Sequence, residues 1–293
     1  MFNAIFIKNN LFVESALMKI TIYSIQIFLR ITSGLFLMTF VSFGCTSKPQ
    51  SFSRTALSQL PDTISYSSDY GGHLQGMTTD YDKYLFWSHT TQVVKTDLEG
   101  NVLKTIDVPT HYGDLAYFNR KIYVAVNFGK FNEEPGLSDS WIYVYKASDL
   151  SFIEKHPVPE VVHGAGGIAI HNDRAMVVGG LPALPKYTGN FVYEYDMNFN
   201  LRRIHILESG YTRLGIQTAD WSDGYWYFGC YSSADNPNGK VLKAEMDEND
   251  LLKLVAMYDR DMSYGLIGLG EGRFLYSKSS LNRKAAKLSL IPD

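Results

Sequence analysis

Two cysteines in 293 residues leave no room for a disulfide framework. No segment of the chain beyond its N-terminal region carries a helical hydrophobic period over about a dozen residues, which argues against helix bundles and doubly wound α/β folds. The charge is also sparse. Charged residues make up 19% of the chain, the formal net charge is −3, and no basic stripe occurs, so a nucleic-acid partner is not expected. What the chain has in quantity is aromatic and apolar: 20 Tyr, 17 Phe and 4 Trp within a 45% hydrophobic total. That composition supports a large buried core rather than disorder.

The one concentrated apolar run is residues 31–43, ITSGLFLMTFVSF. It falls short of the roughly 20 residues needed to cross a bilayer and suits the hydrophobic region of a signal peptide. Met18 is the expected start, since it leaves a short leader carrying Lys19 and Arg30. Gly44-Cys45 resembles a bacterial lipobox, with Phe43 and Ser42 departing from its usual preceding residues. Residues 1–44 are therefore read as a signal peptide, 45–61 as a lipidated Cys45 with a polar tether, and 62–293 as the folded domain. The localisation this implies is an exported, membrane-anchored lipoprotein, periplasmic or at the cell surface. With Cys45 acylated, Cys230 has no partner and reads as a small buried residue.

From residue 70 onward the chain repeats. Five Gly-rich openings recur about every 40–50 residues: His73-Leu74-Gln75-Gly76, His111-Tyr112-Gly113-Asp114, His163-Gly164-Ala165-Gly166-Gly167, Leu214-Gly215-Ile216-Gln217, and Tyr264-Gly265-Leu266-Ile267-Gly268. Each is followed by two or three further β-rich runs, with second runs at 84–87, 122–126, 175–178, 225–228 and 274–276. Four short strands per unit predict an all-β, five-bladed β-propeller. The fifth unit lacks a fourth run, and residues 62–66 precede the first opening, so the N-terminal strand is expected to complete the last blade and close the ring. A β-sandwich or a six-bladed ring is the competing arrangement.

In such a ring the Asn-, Asp- and Gly-rich hairpins 80–83, 119–120, 172–173, 223–224 and 271–272 share one face. The longer connections 127–140, 179–190 and 231–239 share the other, where function is expected. His73, His111 and His163 hold the same slot in three openings, out of only seven His in the chain. They are candidate ligands for a divalent metal, while His111, Asp114 and His163 are candidate acid–base groups. The alternative is that each His bonds a backbone carbonyl of the next blade and stitches the ring. Gln75, Asn127, Lys130, Trp141 and Gln217 are candidate substrate contacts: amides for hydroxyls, the indole for stacking a sugar ring. Lys95 and Lys130 would suit anionic groups such as uronates.

The opening segments quoted above are similar to those of uncharacterised exported bacterial β-propeller lipoproteins. That resemblance implies fold and export and no established activity. The expected function is an enzyme, a lyase or hydrolase acting on a carbohydrate or similar polar metabolite in a His-lined central channel. The alternative is a non-catalytic propeller that binds a glycan or protein. In either case the expected partners are a small-molecule or glycan ligand, with the membrane reached through the lipid anchor.

Overall fold

The computed structural model describes residues 60–66, 72–233, 238–278 and 285–290. Among these, all regular structure is β. Blade 1 contains β2 Leu74–Thr79, β3 Tyr84–His89, β4 Gln92–Asp97 and β5 Val102–Asp107. Blade 2 contains β6 Tyr112–Phe118, β7 Lys121–Asn127, β8 Ser140–Lys146 and β9 Phe152–Pro157. Blade 3 contains β10 Ala165–His171, β11 Arg174–Gly179, β12 Asn190–Tyr195 and β13 Leu201–Leu207. Blade 4 contains β14 Ile216–Ser222, β15 Tyr225–Cys230, β16 Lys240–Met246 and β17 Leu252–Tyr258. Each is an antiparallel meander paired in sequence order.

The fifth sheet runs in the order β1-β20-β19-β18, with β18 at Gly265–Gly270, β19 at Arg273–Ser277 and β20 at Ala285–Leu290. Its outer strand is β1, Thr63–Ser65, from the other end of the domain, as the strand count predicts. Ile64 pairs with Ala286 and is buried in a cluster with Leu275, Leu85 and Trp87. The structure is therefore a five-bladed β-propeller closed by its N-terminal strand.

Burial grades outward across each blade. The innermost strand β2 is buried along its whole length, whereas the outermost strands β9 and β17 alternate or face water. The hairpins between third and fourth strands repeat one device. Asp97 accepts from the amides of Glu99 and Asn101, Asp196 from those of Asn198 and Asn200, and Asp247 from those of Asn249 and Leu251. A carboxylate that satisfies two turn amides fixes the hairpin locally, so blades 1, 3 and 4 each carry their own register signal.

Four of the five innermost strands begin with a register shift, at Leu74/Gly76, Tyr112/Leu115, Ala165/Gly167 and Ile216/Thr218. A bulge re-aims the extra residue. The re-aimed positions are Gln75, Gly113 with Asp114, Gly166, and Gln217. In the fifth blade the shift lies at the opposite end of the strand, at Gly268/Gly270. The bulges put polar side chains onto the propeller axis at the face where the long loops sit.

Candidate functional site

The centre of the loop face is built on Gln75. Its amide nitrogen lies 2.8 Å from His73 Nε2 and 3.0 Å from His111 Nε2, with Thr90 Oγ1 at 3.3 Å. The amide –NH2 has two hydrogens for these three neighbours, and an imidazole Nε2 accepts one of them when its ring proton sits on Nδ1. The backbone holds this arrangement on three sides. Thr90 N donates to His73 O, Tyr112 N donates to Thr90 O, and His111 exchanges amide bonds with Asn127 at the end of β7. Burial, then the proximity of His73, pulls the His111 imidazole down to about 4, so it is neutral at physiological pH. The buried Nδ1 of His111 has no hydrogen-bond partner.

Aromatic rings surround the pair. Phe131, from the β7–β8 loop, meets the His111 ring edge-on at 5.1 Å, and Tyr264 meets His73 at 5.7 Å. Tyr231 lies 5.4 Å from Tyr264 and extends the rim to blade 4. Gln217, in the bulge of blade 4, donates to Leu214 O at 2.7 Å, with its Oε1 facing Gly166.

His163 does not join this group. Its Nδ1 donates to Glu133 O at 3.0 Å, its backbone carbonyl accepts from Asn132 N, and its ring stands perpendicular to Tyr187 at 5.3 Å. Glu134 binds the Tyr187 hydroxyl and Lys186 Nζ, the latter at 3.1 Å, and those bonds hold its carboxyl below the usual range. Together these residues latch the β7–β8 loop to the β11–β12 loop. The expected metal centre of His73, His111 and His163 is therefore not assembled. Among the described residues no three His, Cys, Asp or Glu side chains converge as a metal site.

Asp114 also departs from expectation. The sequence makes it a candidate acid–base group, but its fully buried carboxyl crosses the axis, where Oδ2 accepts from Ala219 N of blade 4 at 2.9 Å. Oδ1 has no partner and packs against Gly76, where any Cβ would overlap it. A Cβ at Gly113 would likewise strike Gly166 O. Two glycines thus let the bulges meet at the axis, and a carboxyl fills the space the sequence suggested as an open channel. Burial pushes the Asp114 carboxyl well above the carboxylate range, against the pull of the Ala219, Leu115 and Met77 amides. Further along β14, Asp220 accepts from Gly268 N at 2.6 Å, Trp221 N at 2.8 Å and Tyr81 OH at 3.5 Å. Burial raises it to about 7. Nothing about its spacing in the sequence singled Asp220 out.

The remaining candidates have structural partners. Asn127 is buried, and its Oδ1 accepts from Gly129 N and Asp139 N, which closes the base of the loop. Trp141 donates to Asp139 Oδ1 at 2.6 Å, with Lys155 Nζ of β9 4.5 Å from its ring centre, so it belongs to the blade flank. Lys130 is exposed, and its amide donates to Leu137 O. Lys95 is buried against the Tyr84 ring and donates to Ala147 O and Ser148 O of blade 2, a bond between blades that leaves it unsuited to anions. Cys230 is fully buried, its thiol pushed up to about 12, which is incompatible with a nucleophile at neutral pH. Thr90, Phe131, Tyr231 and Tyr264 belong to the site and were missed. Thr90 lies in the one short loop of that face, and the aromatics are lost among the chain's many Tyr and Phe.

No family model matches the chain, and no curated protein matches it. Solved structures bear a partial similarity to the chain. A Bacteroides thetaiotaomicron protein of unknown function is similar over 78% of this chain and 72% of its own, at 11% identity and a TM-score of 0.48. The WD40 repeats of RRP9 align over 79% of this chain and 84% of theirs, at 9% identity and a TM-score of 0.42. The computationally designed Ika4 protein covers 66% of this chain and 95% of its own, at 9% identity and a TM-score of 0.36.

Proposed function

We propose that this chain is an exported, lipid-anchored propeller whose loop face binds a neutral, hydroxyl-rich ligand such as a glycan. The observation that carries the reading is the His73–Gln75–His111 bridge set inside a rim of Phe131, Tyr231 and Tyr264. Amides and neutral imidazoles exchange hydrogen bonds with hydroxyls, while aromatic edges and faces cover the C–H surfaces of a sugar. A binding role is favoured over lyase or hydrolase chemistry. The candidate acid–base carboxyl, Asp114, spends its Oδ2 on a backbone amide instead of on a histidine. The His111 imidazole, held near 4, is a weak base and is not present as the acidic imidazolium at neutral pH.

Anchoring through Cys45 is the second part of the proposal. It rests on the sequence alone, because residues 1–59 lie outside the described residues. Screening the purified protein on a glycan array tests the first part: Gln75→Ala is expected to reduce binding at least tenfold while the fold is retained. Absence of binding to any glycan or polar metabolite sinks it. Incorporation of a labelled palmitate analogue, lost in Cys45→Ala, tests the second.

A further inference from the structure

β13 is the outermost strand of blade 3, and among the described residues no strand pairs with its outer side. An exposed edge of backbone donors and acceptors is a template for another strand, and natural edges are usually guarded against it. The other outer strands carry such guards. β1 has three residues, β5 places the exposed Lys104 at mid-strand, β9 carries Lys155 and ends at Pro157, and β17 is broken by an extra residue at Val255. In β13 the register shift falls at Arg202, so Arg203 to Leu207 run regularly beside β12. One face of this run is covered: Arg203 reaches Asn249 O at 3.4 Å, and His205 Nδ1 accepts from Leu252 N, both of blade 4. The other face holds Ile204, 46% exposed, and Ile206, 61% exposed, beside Tyr193 and Phe191 of β12. We infer that β13 is a dimerisation edge, on which the β13 strand of a second copy of this chain adds antiparallel and joins two blade 3 sheets into one.

The order of residues along the strand selects this occupant. Arg202-Arg203-Ile204-His205-Ile206-Leu207-Glu208 is self-complementary about His205. When two such strands run antiparallel with His205 opposite its counterpart, Ile204 of each copy faces Ile206 of the other, and Arg202 faces Glu208. The isoleucines of both copies then lie on one face of the shared sheet, flanked at each end by opposite charges. Arg202 and Glu208 are both exposed in the single chain. Arg202 already reaches Asp173 at 3.3 Å and Glu194 at 3.8 Å, and its guanidinium has further N–H donors to give. Other alignments lose this match. A parallel pair sets Arg202 and Arg203 against their own counterparts. A one-residue slip puts the two pairs of isoleucines on opposite faces, and a two-residue slip sets Arg202 against Ile206. The edge is a different surface from the loop face, and the inference does not depend on the ligand proposed there.

The test is sedimentation velocity on the purified, tag-free full-length protein over a range of concentrations. A seven-residue edge buries less than the about 1,200 Å² of a stable interface, so a reversible monomer–dimer equilibrium with a Kd of roughly 10–100 μM is expected. Ile206→Lys should weaken the dimer at least tenfold without unfolding the chain, because that side chain stands mostly in water in the monomer. Glu208→Arg should weaken it about fivefold, and adding Arg202→Glu should restore it, since the opposite charges have then exchanged places. Should the double variant fail to fold, cysteine cross-linking gives a second readout in a Cys45→Ala background, where Cys230 is buried. Ile204→Cys mixed with Ile206→Cys is expected to form a disulfide between copies, because directly opposed positions bring Cα atoms to about 5 Å. Ile204→Cys alone, displaced by two residues from its counterpart at about 7–8 Å, is expected to form little. A monomer at every concentration up to about 1 mM overturns the inference and leaves the edge to a strand of another protein. A dimer that survives Ile206→Lys overturns it too, as does cross-linking of Ile204→Cys to itself in preference to Ile206→Cys.

Discussion

Glu194 and His205 share a buried hydrogen bond of 3.0 Å whose direction is set by a third residue. Leu252 N of blade 4 donates to His205 Nδ1 at 3.1 Å, so the ring proton sits on Nε2 and is donated to the Glu194 carboxylate. Arg174 at 2.8 Å and Arg202 at 3.8 Å also pair with the carboxylate, and Arg174 reaches Asp250 at 2.7 Å. A buried acid is thereby neutralised, and blades 3 and 4 are joined through one imidazole. His205→Ala strands both the Leu252 amide and one oxygen of Glu194. The expected loss is about 2–4 kcal/mol of stability, seen as a shift in the denaturant midpoint with little change in slope.

The axial carboxyls make stability fall as pH rises. Asp220 holds its proton to about 7 when folded, whereas an unfolded Asp releases it near 3.8. The folded state therefore binds the extra proton between those values, and its advantage is present below about 4 and gone above about 7. Tyr81 and Asp114 face the same carboxyl; burial raises both well above their ordinary values, and neither offers it a compensating positive charge. Asp220→Asn keeps an acceptor for Gly268 N and is expected to flatten the decline, by up to roughly 4 kcal/mol over the window. Melting curves at intervals from pH 4 to 8 measure it.

His111 acts in the opposite direction. Its folded value of about 4 lies below the ordinary 6.5, so the folded state resists protonation and stability is lost as pH falls from about 6.5 towards 4. Imidazole carbon shifts in an NMR titration are expected to show the His111 ring still neutral at pH 5. That signal should disappear in His111→Asn. A histidine spectrum fully protonated at pH 5 would contradict the burial described for this ring.

Ile64 tests the ring closure. It is buried opposite Ala286 in the outer strand of the last blade. Ile64→Ala is expected to cost about 2–4 kcal/mol. Ile64→Asp should open the blade edge and promote association between chains, which sedimentation velocity would detect.

Much of this architecture was legible because it is local. Each Asp-led hairpin satisfies its own amides, and each opening carries glycine, so Asp97, Asp196 and Asp247 mark out the repeat without reference to anything distant. The pairing of β1 with the last blade followed from counting strands. The site was only half legible. Placing three histidines at one slot assumed that the bulges have equal offsets. Gln75 is two residues after His73, whereas Asp114 and Gly166 are three after their histidines, and blade 3 presents Gly166 where blades 1 and 4 present glutamine. His163 therefore meets a loop instead of a bridging amide. The course of Asp114 was illegible for a different reason: it depends on the space left by Gly76, a residue of another blade.

The contact between Ile64 and Ala286 also sets an order of assembly. Blades 1 to 4 are built from hairpins between sequence neighbours, and these can form quickly and independently. The last blade cannot finish until two segments more than 200 residues apart along the chain meet, a loop closure that is entropically costly and slow. An intermediate with four complete blades and an unpaired β20 edge is therefore expected to accumulate. That intermediate, rather than the native ring, is the species from which strand-swapped dimers would arise.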